Sequence, residues 1–95
     1  MRYWLSFDLG LRGKYEELYV WLDNMAANEC GNNVATFSTK KTAVQIRKEL
    51  FDLLGEDARV YLINMHHGGT FIIGKRKRSP WVGYGGAVLG TKIEK

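Results

Sequence analysis

Cysteine and proline each occur once in the 95 residues, and no apolar run approaches the length of a bilayer span. Each shortage excludes something. Cys30 cannot close an internal disulfide and has no cysteine partner for a zinc site, which fits a reducing compartment. A small buried apolar group is the expected role for it. Crossing a bilayer takes about 20 consecutive apolar residues, and Met1-Arg2-Tyr3-Trp4 is followed at once by strand and acid, not by the apolar region of a signal peptide. The reading is a cytoplasmic protein with no membrane partner. The one proline, Pro80, falls late and breaks any strand there, in a stretch loosened further by Gly83, Gly85, Gly86 and Gly90. There is no internal repeat, and this glycine-rich tail is the one segment of biased composition.

What is present describes one globular domain. Hydrophobic residues make up 45% and charged residues 25%, which excludes disorder of the whole chain. A domain of this size leaves roughly a third of its unfolded surface exposed, so a second copy would help cover it. Net charge is +4, and Lys75, Arg76, Lys77 and Arg78 supply four positive charges in succession. Such a run is either a solvated face or a contact for a polyanion such as nucleic acid.

Residues 2–9 read as a strand, with Tyr3, Leu5, Phe7 and Leu9 on one face and Trp4, Ser6 and Asp8 on the other. After the turn Gly10-Leu11-Arg12-Gly13, apolar residues at Tyr15, Leu18, Tyr19, Leu22 and Met25 form one helical stripe over 14–25. Trp21 lies off that stripe, so it packs laterally or belongs to an interface. Residues 27–30 suit a short strand, Gly31-Asn32-Asn33 a hairpin turn, and 34–39 the returning strand. A second helix starts at Thr42 with a Thr42/Gln45 capping box, buries Ala43, Ile46, Leu50, Leu53 and Leu54, and ends at Gly55. Two strands follow, 59–65 and 70–74, around a turn from His66 to Gly69. This is an α+β chain: a ferredoxin-like βαββαβ unit with an extra C-terminal strand, an antiparallel sheet with both helices on one face. Residues 1–78 would form that domain and 79–95 a tail, either disordered or laid as an added strand on a partner through Trp81, Val82, Tyr84, Val88 and Leu89. The sheet face bearing Trp4 is left open, which points to a homodimer.

Few motifs carry chemistry. Gly69 to Lys75 has the spacing of a phosphate loop, but Arg76 stands where Ser or Thr is required and the segment reads as strand. The glycines from Gly83 to Gly90 lack the strand and helix of a dinucleotide fingerprint. His66 and His67 are adjacent on a turn and diverge, so they cannot easily grip one ion together. Asp8 is the acid that needs explaining. It either caps the strand end by accepting backbone amides of the turn at Gly10, or serves a metal or a partner. One carboxylate cannot hold magnesium alone, whereas two copies meeting about a two-fold axis could share an ion that polarises a phosphodiester.

The opening Tyr3-Trp4-Leu5-Ser6-Phe7-Asp8-Leu9 resembles the first strand of the small CRISPR-associated protein of spacer acquisition (the second Cas protein) and of virulence-associated protein D. Stand-alone bacterial relatives labelled SinR-like are more similar still. Phe7-Asp8-Leu9, the helix stripe Tyr15 to Leu22, Ser38-Thr39, and Ala43-Val44-Gln45-Ile46-Arg47-Lys48-Glu49-Leu50 carry that resemblance over residues 2–65. It implies a ferredoxin-like homodimer with a swapped C-terminal strand and Asp8 as the catalytic, metal-binding residue, for Mg2+ or Mn2+, of an endonuclease acting on RNA or DNA. Arg12, Lys14, Lys75, Arg76, Lys77 and Arg78 would hold the phosphates. A non-catalytic scaffold of the same fold is the alternative, since some members only bridge other subunits. Here the arginine-rich helix start of the CRISPR members is reduced to Arg12 and Lys14, and the Lys75 to Arg78 run is no part of the shared motif.

Overall fold

A computed structural model describes residues 1–85. Its elements are β1 (Arg2–Asp8), α1 (Tyr15–Asn24), β2 (Asn28–Gly31), β3 (Val34–Ser38), α2 (Ala43–Leu54), β4 (Arg59–Asn64) and β5 (Gly68–Ile73). The five strands form one sheet in the order β2-β3-β1-β4-β5, every neighbouring pair antiparallel. The architecture is α+β and compatible with a ferredoxin-like unit plus one strand. No helix among the described residues is long and apolar enough to cross a membrane.

Alternation along β1 decides which face is buried. Tyr3, Leu5 and Phe7 are buried while Trp4 and Ser6 are half-buried and Asp8 is exposed. Ala35 and Phe37 from β3 and Val60 and Leu62 from β4 join the buried row, and Leu18 and Leu22 of α1 with Ile46, Leu50 and Leu54 of α2 close over it. Each such aliphatic side chain contributes about 1.5–3 kcal/mol on leaving water. Trp21 packs laterally: its ring meets Phe37 edge-on at 5.4 Å and its Nε1 donates to Glu49 at 3.0 Å. Glu49 also takes the Lys41 ammonium at 2.8 Å, and these two donors, Lys41 first, lower its pKa.

Several expectations shift. Cys30 is exposed, not buried, because β2 is an edge strand with all four residues open to solvent. The last strand begins at Gly68 instead of Thr70. Buried Asn64 accepts the amides of His66 and His67 at 2.7 and 3.1 Å, which tightens the turn and lets Gly68 and Gly69 pair with Asn64 and Ile63. Residues 80–83 form turns and Tyr84 and Gly85 are helical, with Val82 donating to the Ser79 carbonyl and Tyr84 to that of Trp81, and 79–85 hold no strand. The part of the expected swapped strand at Val88 and Leu89 lies outside the described residues.

Candidate nucleic-acid interface

Antiparallel pairing gathers one set of chain ends. β1 finishes where β4 starts and β5 finishes, so the loop with Arg12 and Lys14, Arg59, and the run from Lys75 to Arg78 all belong to the same end of the sheet. Six of the seven candidate site residues are cations, and the topology places them at the same end of the sheet as the seventh, Asp8.

Asp8 and Arg59 are register partners on the open face. The Asp8 carboxylate accepts the Gly10 amide on Oδ1 at 3.1 Å and the Arg59 Nη2 on Oδ2 at 3.2 Å. The strand-end cap is therefore formed, helped by Gly10 at φ 75°, a left-handed conformation that glycine takes without strain. Both groups prefer the ionised acid, so the Asp8 pKa is lowered, first by the Gly10 amide and then by Arg59, with Lys77 adding its charge and slight desolvation opposing. A divalent ion prefers about six oxygens. No group of three or more His, Cys, Asp or Glu side chains stands together among the described residues, and the charged neighbours of Asp8 are Arg59 and Lys77. One chain alone does not fit such an ion, and any shared ion would need the second copy's carboxylate and the displacement of Arg59.

Beside this pair the open face holds a second feature. Tyr61 on β4 and Phe71 on β5 are register partners whose rings meet at 4.8 Å and 67°. Gly69 makes room for this: a Cβ there would run into the Tyr61 ring, so the tyrosine lies down across the glycine. Past Phe71 the strand carries a bulge. Val60 pairs with Ile73 and Tyr61 with Phe71, which leaves Ile72 as the extra residue, and Ile72 and Ile73 are both buried. Gly74 follows at φ 77°. Bulge and glycine together turn the chain back, and the Arg76 guanidinium lies 5.4 Å from the Phe71 ring centre and 6.0 Å from that of Tyr61. Ser6, Asp8, Arg59, Tyr61, Phe71 and Arg76 line a cavity of about 290 Å³.

Of the sequence-derived residues, Asp8, Arg76 and Lys77 are brought together here. Arg12 and Lys14 line a different cavity with Asp57 and Ala58. Lys75, Lys77 and Arg78 are exposed. Arg59, Tyr61, Phe71 and Gly69 were missed, although period-two alternation already sets Arg59, Tyr61 and Ile63 on one face of their strand. Compared with protein-family models, curated proteins and solved structures, the chain gives no significant match in any of the three.

Proposed function

We propose that this chain is a nucleic-acid-binding protein, a homodimer of ferredoxin-like subunits that holds the phosphate backbone along the cationic end of its sheet. One observation carries the reading. Arg76 is folded onto Tyr61 and Phe71 beside Arg59, so the Lys75 to Arg78 run is anchored on the open face next to half-buried aromatic rings. A merely solvated run would have no such anchor. Cations interleaved with aromatics match both parts of a nucleic acid, the anionic phosphates and the flat bases. Asp8 enters this reading as the group that orients the Arg59 guanidinium.

The test is binding of a labelled oligonucleotide followed by fluorescence anisotropy over a series of salt concentrations. Log affinity should fall linearly with log salt, and replacing Lys75 and Lys77 together with glutamine should flatten that slope by about 0.7 per lost phosphate contact on a single strand. A salt-independent affinity, or a double variant indistinguishable from wild type, would overturn the reading.

A further inference from the structure

We propose that the cavity between Asp8, Arg59, Tyr61, Phe71 and Arg76 is a stacking site for one unpaired nucleobase, which makes the ligand class single-stranded nucleic acid in preference to duplex. The inference rests on the nucleic-acid-binding reading above and deepens it.

Size is the first argument. At about 290 Å³ the cavity falls just below the range that accommodates drug-sized ligands, which suits a single flat ring system. Shape is the second. Tyr61 lies across Gly69 instead of standing off the sheet, so it offers an aromatic surface at the floor of the cavity, and Phe71 packs edge-on against it and fixes its tilt. Arg76 covers these rings in the free protein, and a planar guanidinium can lift to close over a base as it does over an aromatic ring.

Charge decides which part of the nucleic acid enters. Asp8 stays ionised at the rim and repels a phosphate from the interior, so the uncharged base is the group admitted. The phosphates on either side belong outside, where Arg59 is positioned to take one. Its contact with Asp8 uses a single N–H of the five on a guanidinium, and its side chain is 30% exposed. A base within a duplex already stacks on both faces and is held by its pair. Only an unpaired base reaches these rings without a cost of unstacking.

The experiment compares one sequence as single-stranded and as duplex oligonucleotide, against wild type, Tyr61→Leu and Tyr61→Phe, by anisotropy at several salt concentrations. Wild type should favour the single strand. Tyr61→Leu should lose about ten-fold or more in single-strand affinity while keeping its salt slope and its duplex affinity, because it removes stacking and no charge. Tyr61→Phe should retain wild-type affinity. If Tyr61→Leu fails to fold by circular dichroism, Arg76→Gln, on an exposed segment, takes its place and should weaken the single strand more than the duplex. Equal binding of both forms by wild type, or full single-strand affinity in Tyr61→Leu, would overturn the stacking site and leave the nucleic-acid reading standing. No binding of either form would bring down both.

Discussion

Asp8 and Arg59 neutralise each other across one register pair, and in the proposed reading that pairing would govern how a polyanion meets the open face. Replacing Asp8 with asparagine removes a negative charge beside Arg59 and Lys77, so oligonucleotide affinity should rise several-fold at low ionic strength, and the gain should shrink as salt screens it. Stability should respond with a definite sign. The folded-state pKa of Asp8 lies below its unfolded value, so its contribution is present above about pH 4 and fades as pH falls through the folded pKa. Thermal melts of wild type and Asp8→Asn should therefore differ at neutral pH and converge in acid. Cleavage of a labelled strand by wild type with magnesium or manganese, abolished in the variant and by chelator, would instead return Asp8 to the metal-binding role implied by the family resemblance. Alternation along a single strand was enough to set Asp8 on the open face and to raise the Gly10 cap. Arg59 was not legible as its partner, because 51 residues separate them and nothing within either strand states the register between them.

The second helix shows how far local chemistry reaches at the scale of elements. Thr42 Oγ1 accepts the Gln45 amide at 3.2 Å and Gln45 Oε1 accepts the Thr42 amide at 2.8 Å, forming the reciprocal box that the Thr-x-x-Gln spacing predicts. Thr42→Ala takes the acceptor from the Gln45 amide and should cost about 1 kcal/mol, read as a lower urea midpoint at unchanged m-value. The first helix has no side-chain cap at Lys14, and its start at Tyr15 instead of Lys14 reflects that weaker signal. The last strand was legible in type and not in shape. In Phe71-Ile72-Ile73 three consecutive apolar residues hide which of them is the bulge, and the bulge with Gly74 is what returns Arg76 to the face. A contact made by a strand's irregularity leaves no periodic trace in its sequence.

For the whole molecule, the open face has more to cover than the cavity. Trp4 is half-buried and its register partner Ile63 is 37% exposed, with exposed Met65 just beyond β4 on the side away from Asp8. Side-chain patterning predicted that this face lies uncovered, whereas the strand order that divides it into an apolar end and a cationic end emerges only from long-range pairing. A homodimer centred on Trp4 and Ile63 would bury the apolar end. Ile63 and Tyr61 lie two residues apart on β4, about 7 Å, so such a contact leaves the Asp8 end open to a strand of nucleic acid. Ile63→Glu replaces a partly exposed side chain with a charge and should yield a folded monomer by sedimentation equilibrium, where wild type should sediment as a dimer. A monomeric wild type would remove the dimer from the reading. The variant also separates two arrangements of the binding site. If the monomer keeps its single-strand affinity per subunit, each chain holds a complete site on its own open face; if affinity falls with the dimer, the site is built from the facing surfaces of two copies.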